Sequence, residues 1–142
     1  MMTPKTAERE ATSERQLHQI GEVAEHVGLS LRTVRYYEEV GLLAPLTRTD
    51  GGFRLYTDED IERLLLIKQM KPLGFSIEEM RGLLKARDAL RSGAGARAQT
   101  AAREQLDRFA ELASERCNEL KKQLRSAESF AQQLRAEADS GD

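Results

Sequence analysis

The spacing of apolar and polar residues divides the chain into tails, a compact domain and a long helix. Residues 1–16 carry few apolar side chains, which predicts a flexible tail. Over residues 17–91 apolar side chains recur at helical spacing between frequent stop signals, which predicts one compact domain. Residues 92–97 form a small-residue linker, residues 98–138 lack Gly and Pro as expected of one long helix, and residues 139–142 are a second short tail.

Two short helices are predicted at the start of the compact domain, separated by a sharp turn at Gly28. The first covers residues 21–26, and glycine is expected at the turn because it adopts positive φ without a steric penalty. Ser30 is a favourable N-cap for the second helix, and Gly41 ends that helix. The residues that the two helices are predicted to bury are Val23, Ala24, Val27, Leu31, Val34 and either Tyr37 or its neighbour.

The spacing of Ala24, Gly28 and Val34 is typical of a helix-turn-helix, because two helices that cross at a tight turn need a small residue there. In such a motif the second helix enters the major groove of DNA. Arginine bonds guanine edges or phosphates, and threonine and tyrosine hydroxyls bond phosphates. The groove-facing residues are predicted to be Arg32, Thr33, Arg35 and Tyr36. The alternative is a plain pair of packed helices whose charged side chains are solvated.

A β-hairpin is predicted over residues 47–56, with its turn at the Asp-Gly-Gly sequence of residues 50–52. Beside a helix-turn-helix, such a hairpin forms a wing. Arg54 and Tyr56 are predicted on one face, from which Arg54 reaches the DNA backbone or minor groove. The residues expected to face the domain core are Phe53 and Leu55. The alternative is a surface hairpin with an exposed arginine.

Two more helices follow, each opened by a capping box, in which an N-cap side chain and an acidic residue three positions later bond each other's backbone amides. Thr57 precedes the first of these helices and Ser76 the second. Their buried residues are predicted to be Ile61, Leu64, Leu65 and Ile67 in the first, and Ile77, Met80, Leu83 and Leu84 in the second. Lys68 and Lys71 lie near the end of the first, where they either contact phosphates or are solvated.

In the long helix, apolar residues recur at heptad positions and form a stripe that one helix cannot bury alone. This stripe, the apolar seam, consists of Leu106, Phe109, Ala110, Leu112, Ala113, Cys117, Leu120, Leu124, Ala127, Phe130, Ala131 and Leu134. The seam predicts a homodimer joined by a coiled coil, whose helices are either parallel or antiparallel. Cys117 is either a small inert member of the seam or a thiol that responds to oxidants.

Composition narrows the classes of function. With 22 basic and 24 acidic residues the net charge is −2, so contact with nucleic acid must come from a local arrangement of basic side chains. A single cysteine excludes an intrachain disulfide framework and a thiolate-rich zinc site. We find no Gly-rich phosphate loop, nucleophile–base set or metal-ligand cluster, so no catalytic residue, metal site, cofactor or enzymatic activity is predicted. No apolar run is long enough to span a bilayer and no signal peptide is visible, so we expect a cytoplasmic protein without a membrane partner.

Several titratable residues receive structural predictions only. His18 flanks the first helix, has no acidic or cysteine partner at ligand spacing, and is assigned a structural role. Glu38 and Glu39 are adjacent in sequence and therefore point apart on a helix. This pair is expected to be solvated rather than catalytic.

The chain resembles the MerR family of transcription regulators over residues 20–43, 52–56 and 73–76, in an order that covers about half of its length. The resemblance implies a mainly α-helical protein, in which a winged helix-turn-helix DNA-binding domain precedes a long helix that pairs antiparallel in a homodimer. It matches Tyr37 to a DNA-contacting position of the recognition helix, Arg54 to a wing position in the minor groove, and Tyr56 to a backbone-contact position. The candidate DNA-contacting residues are Arg32, Thr33, Arg35, Tyr36, Tyr37, Arg48, Arg54, Tyr56, Lys68 and Lys71.

The resemblance also implies a mechanism. The dimer binds a palindromic site in an overlong promoter spacer, and an effector makes the protein kink and untwist that DNA so that RNA polymerase engages both promoter elements. Metal-sensing relatives hold their ion with cysteines at the start of the long helix, and residues 95–99 contain none, so sensing of that type is not expected. The alternative function is a DNA-bending architectural protein, similar to an excisionase, without direct control of transcription.

Overall fold

The computed structural model describes residues 17–44, 47–48, 54–93 and 95–141. The predicted N-terminal tail, the hairpin turn at 50–52, the core position of Phe53 and the side chain of Arg48 lie outside the described residues. The helices are α1 (Ile20–Val27), α2 (Leu31–Glu39), α3 (Asp58–Met70), α4 (Ile77–Arg91) and α5 (Ala96–Ser140). The strands are β1 (His18–Gln19), β2 (Thr47–Arg48) and β3 (Arg54–Tyr56). The predominance of helix, with one small sheet, confirms the predicted fold class.

Helices α1 and α2 meet at Gly28 as the helix-turn-helix spacing predicts. Gly28 has φ of 72°, and the Leu29 amide donates to the Ala24 carbonyl at 3.0 Å, so the chain reverses within one turn. The Ser30 hydroxyl accepts a hydrogen bond from the Thr33 amide at 3.1 Å, which confirms the predicted N-cap. The buried residues of this pair are Val23, Ala24, Val27, Val34 and Tyr37.

Leu31 is 42% exposed, so the prediction that α2 buries it is wrong. The cause is the helical period. Successive residues rotate by about 100°, so Leu31 lies about 120° around α2 from Tyr37, six positions later. A stripe centred on Val34 and Tyr37 therefore faces the core while Leu31 faces away from it.

The three strands form one antiparallel sheet in the order β1-β3-β2. Arg48 pairs with Arg54 in the β2–β3 register, as expected of the two sides of a hairpin, and His18 pairs with Tyr56 in the β1–β3 register. The sequence does not predict the short strand β1, because two residues are too few to show the alternation of apolar and polar side chains that marks a strand. Its pairing makes β3 the central strand and attaches the start of α1 to the wing.

Helices α3 and α4 begin at the predicted capping boxes. Thr57 and Asp60 exchange backbone-to-side-chain bonds of 2.9 and 3.1 Å, and Ser76 and Glu79 do the same at 2.9 and 3.1 Å. Leu65 is 38% exposed, which contradicts its predicted burial. The buried residues of the two helices are Asp60, Ile61, Leu64, Ile67, Met70, Met80, Leu84 and Ala86.

The chain separates into two compact units, of which the first runs to Leu84 and the second begins at Lys85. In the second unit α5 is an unbroken helix of 45 residues, two residues longer at each end than the predicted 98–138. Within this single copy the C-terminal half of the apolar seam is exposed, with Leu124 and Phe130 each at 59% and Cys117 also on the surface. Among the described residues no helix is long and apolar enough to cross a membrane.

Candidate nucleic-acid interface

The outward side of α2 carries the residues predicted to face the major groove. Arg32, Arg35 and Tyr36 are exposed, and Thr33 is half-buried, with its hydroxyl accepting a hydrogen bond from that of Ser30 at 2.8 Å. Two guanidinium groups and two hydroxyls therefore share one face of a short, well-anchored helix. Such a face offers both bidentate base recognition and phosphate contact.

Tyr37 differs from these residues in its burial. Its side chain is buried, and its ring lies 5.8 Å from that of Tyr36 at a tilt of 52°. Burial is the main reason why the pKa of Tyr37 is raised. The Tyr37 side chain packs in the core behind Tyr36 and also lines an open depression beside Lys71, so its contact with DNA stays a prediction.

A three-residue cluster, the Glu38 cluster, joins the recognition helix α2 to the wing. One carboxylate oxygen of Glu38 pairs with the guanidinium of Arg54, and the other accepts a hydrogen bond from the Tyr56 hydroxyl. The Glu38 side chain is only 9% exposed and that of Arg54 is 38% exposed. Burial and the bond to a carboxylate both raise the pKa of Tyr56, so its hydroxyl remains a proton donor.

The Glu38 cluster corrects two sequence predictions. Glu38 was expected to be solvated, but it lies beneath the wing. Tyr56 was expected on a DNA-facing surface, but it is fully buried. Sequence alternation assigns Arg54 and Tyr56 correctly to one face of β3, yet that face points toward a carboxylate of α2 rather than toward solvent.

The two candidate lysines have different environments. Lys68 donates from Nζ to the carbonyl of Val27 at 2.7 Å, so it satisfies the C-terminal end of α1 while its side chain remains largely exposed. Lys71 is exposed in a single 3₁₀ turn, Lys71–Leu73. It borders an open depression of about 520 Å³ that is also lined by Arg32, Tyr36 and Ser76. Lys71 is thus adjacent to the recognition helix.

Three further side chains form contacts that the sequence did not indicate, and these contacts hold the interface in place. Arg63 donates to the Leu42 carbonyl at 3.3 Å, and Arg81 donates to that of Val40, so α3 and α4 both bond the chain just after α2. His18 bonds Asp58 at 2.8 Å and Glu22 at 3.4 Å, which corrects the expectation that it has no acidic partner. Across the described residues, no three His, Cys, Asp or Glu side chains are grouped in a way that could hold a metal ion.

Two family models match the chain. The model for the MerR HTH family regulatory protein matches residues 19–87, from α1 into α4. The model described as MerR, DNA binding matches residues 61–136, which is more than half of the chain. Together they cover both the helix-turn-helix and most of α5.

Individual relatives agree with the models. The HTH-type transcriptional regulator ZntR from Escherichia coli (strain K12) is 44% identical over 71 residues, which are 50% of this chain and 50% of ZntR. The chain thus spans about half the length of this curated relative when the two are aligned.

Solved structures share the fold over longer stretches. A putative MerR family transcriptional regulator from Listeria monocytogenes is 30% identical, with a TM-score of 0.60, over 88% of this chain and 86% of that chain. HiNmlR, a MerR family regulator that lacks the sensor domain and was crystallised with promoter DNA, gives a TM-score of 0.69 at 22% identity, over 89% of this chain and 97% of that chain. At this identity the second likeness concerns the fold alone. The family models and the Listeria protein together show that this chain belongs to the MerR family of regulatory proteins.

Proposed function

We propose that this protein is a sequence-specific DNA-binding regulator of transcription, which acts as a homodimer on a palindromic promoter site in the cytoplasm. The observation that carries the proposal is the exposed face of α2, where Arg32, Arg35 and Tyr36 stand together on the second helix of a helix-turn-helix. Glu38 links the same helix to strand β3 of the wing, and a wing is the second element with which winged domains contact DNA. Membership of the MerR family supports the same function and does not favour the architectural alternative.

The proposed ligand is the major groove and flanking backbone of double-stranded DNA. The guanidinium groups of Arg32 and Arg35 can form bidentate hydrogen bonds with guanine edges or phosphates, and Lys71 adds a positive charge beside them. These charges are local, in a chain whose net charge is −2. Binding therefore depends on the placement of a few side chains, and it should weaken steeply as salt rises.

The proposed dimer buries the apolar seam of α5. Leu120, Leu124, Phe130 and Leu134 are all large side chains with 41–59% of their surface exposed in the single copy. A second α5 covers such a stripe with side chains at the same heptad positions. The resemblance implies an antiparallel pair, and a twofold dimer carries two recognition helices that match the two halves of a palindrome.

In the proposed mechanism, the bound dimer distorts the promoter. Bending a site of this size costs of order 1–6 kcal/mol, which contacts made only on the bent duplex offset. HiNmlR, which shares this fold, was crystallised on promoter DNA, and a promoter is the target proposed here. RNA polymerase would be the partner that reads the distorted promoter.

The test is an electrophoretic mobility shift on DNA from upstream of the protein's own gene and its neighbours, against random DNA of equal length at fixed salt. We expect Arg35→Ala to weaken specific binding by about 1–3 kcal/mol, the scale of a good bidentate base contact. The matched control is Arg125→Ala, which removes an exposed arginine from α5 at a heptad position outside the seam. Equal affinity of the wild type for promoter and random DNA would contradict a sequence-specific regulator.

A further inference from the structure

The Glu38 cluster connects the two elements proposed to read DNA. Glu38 lies in the last turn of α2, the helix that presents Arg32, Arg35 and Tyr36, whereas Arg54 and Tyr56 lie on β3, the central strand of the wing sheet. Both oxygens of one carboxylate are engaged, one by each β3 side chain. The carboxylate therefore forms a two-point link between recognition helix and wing.

Low exposure and charge restrict the geometry of this link. Glu38 is 9% exposed and Tyr56 is fully buried, so the bond between them is sheltered from bulk water, whereas the Arg54 side of the ion pair is 38% exposed. Bonds to a charged group are shorter and stronger than neutral ones, and two bonds to one carboxylate restrict its orientation. A wing strand that shifted along α2 would leave a buried carboxylate without a partner, which is strongly unfavourable.

The same geometry changes the role of Arg54. Its guanidinium is paired with a carboxylate of its own chain that is only 9% exposed, so this contact competes with contact to DNA. Arg48 lies opposite Arg54 in the β2–β3 register, and the wing's outer strand therefore depends on the strand that Arg54 anchors.

From these contacts we infer that Glu38 is a positioning residue for DNA recognition, and that Arg54 acts on binding through its ion pair with Glu38 rather than as a groove-reading side chain. The inference rests on the proposed function. It identifies the placement of the wing relative to α2 as a determinant of specificity, to which the Glu38 carboxylate contributes.

A double-mutant cycle tests the coupling. Promoter affinity is measured for the wild type, Glu38→Gln, Arg54→Met and the double variant. We expect each single change to weaken specific binding about tenfold, within the coupling range of contacting residues, and the double variant to be no weaker than the weaker single variant. If Arg54 reads a groove directly, Arg54→Met weakens binding further in the Glu38→Gln background, and the inference is overturned.

Hydroxyl-radical footprinting separates positioning from a loss of folded protein. In Glu38→Gln we expect protection under the wing to weaken while protection around the recognition helix remains, because the link from α2 to β3 is loosened although β3 stays paired with β1. Partial unfolding would instead weaken the whole footprint evenly and would count against the inference. Glu39→Gln is the matched control, because it removes the same charge from the exposed neighbouring position.

The outcomes distinguish this inference from the proposed function. Wild-type protein that does not prefer the promoter contradicts both. A wild type that binds specifically, with an unchanged footprint in Glu38→Gln, contradicts the positioning role alone. If Glu38→Gln does not fold, Arg54→Met at its half-exposed site gives the same test, and an intact wing footprint in that variant overturns the inference.

Discussion

At the scale of single residues, the interface is supported by polar side chains whose partners lie far away in sequence. The Tyr56 hydroxyl and the carboxylate of Glu38 are 18 positions apart, His18 and Asp58 are 40 apart, and Lys68 reaches a carbonyl 41 positions away. Each contact joins two different elements. Removing one partner therefore affects how elements are placed, as well as the local structure.

We predict that Tyr56→Phe lowers the free energy of unfolding by about 1–3 kcal/mol. The change leaves the ring in place but removes one of the two partners of a sheltered carboxylate, and an unsatisfied buried acceptor costs about that much. Urea unfolding followed by circular dichroism measures the effect. Tyr36→Phe, at a ring that is 46% exposed, should stay within about 0.5 kcal/mol of the wild type. Equal effects of the two substitutions would show that the hydroxyl of Tyr56 contributes no more than an exposed one.

His18 gives the protein a pH-dependent stability. The hydrogen bond to Asp58, helped by Glu22 and opposed by desolvation, raises the pKa of His18 above its ordinary value of 6.5. Since the folded pKa is the higher one, this contribution is fully present below pH 6.5 and is lost as pH rises through the folded pKa. We therefore expect the stability difference between wild type and His18→Asn to be larger at about pH 5.5 than at about pH 8.5. Urea midpoints at both pH values measure it, with the exposed His26→Asn as control; a difference that does not change with pH contradicts the assignment.

At the scale of elements, local signals predicted where helices begin and end, because caps and turns are made by residues close in sequence. Ser30, Thr57 and Gly28 each specify a boundary through backbone bonds within a few positions. The residues on the candidate DNA-binding face of α2 could also be predicted, because the helical repeat places them on one side of the helix. What could not be predicted was which element covers which face of β3, since that depends on packing between distant segments. For this reason the sequence predicts a solvated Glu38 and a DNA-facing Tyr56, although both are sheltered.

The turn between α1 and α2 gives a prediction at this scale. Gly28 has φ of +72°, and a Cβ there would lie 2.9 Å from Nζ of Lys68. We expect Gly28→Ala to destabilise the protein by about 1–2 kcal/mol, mainly from the left-handed backbone conformation. Lys68 can move aside, but its bond to the Val27 carbonyl is then weakened.

The matched control for this turn is Gly21→Ala in α1. A Cβ at Gly21 meets nothing within 4 Å, and alanine is favoured over glycine in a helix by roughly 0.5–1 kcal/mol. The two substitutions should therefore shift the thermal midpoint in opposite directions. A stabilising effect of Gly28→Ala would show that the turn does not require its positive φ.

At the scale of the whole molecule, one copy is insufficient for the proposed function. The first unit carries a single recognition helix, and the second carries an apolar seam whose C-terminal half stays exposed in isolation. A palindrome presents two half-sites about one helical turn of DNA apart, roughly 34 Å, which one recognition helix does not span. Dimerisation through α5 would cover the exposed part of the seam and would also supply the second recognition helix that a palindrome needs.

We predict that Leu124→Glu separates the dimer. Leu124 is 59% exposed in the single copy, and burying a whole leucine contributes about 1.5–3 kcal/mol, so covering the exposed part in both copies contributes roughly 2–4 kcal/mol of association free energy, which the substitution removes. Sedimentation equilibrium should show a dimer for the wild type and a monomer for Leu124→Glu at the same micromolar concentration. Arg125→Ala, at the adjacent heptad position outside the seam, should remain dimeric.

Because the first unit is unchanged, the separated protein should still bind a single half-site weakly while losing its preference for the full palindrome. A Leu124→Glu protein that stays dimeric and binds the palindrome normally would place the dimer contact elsewhere on the chain.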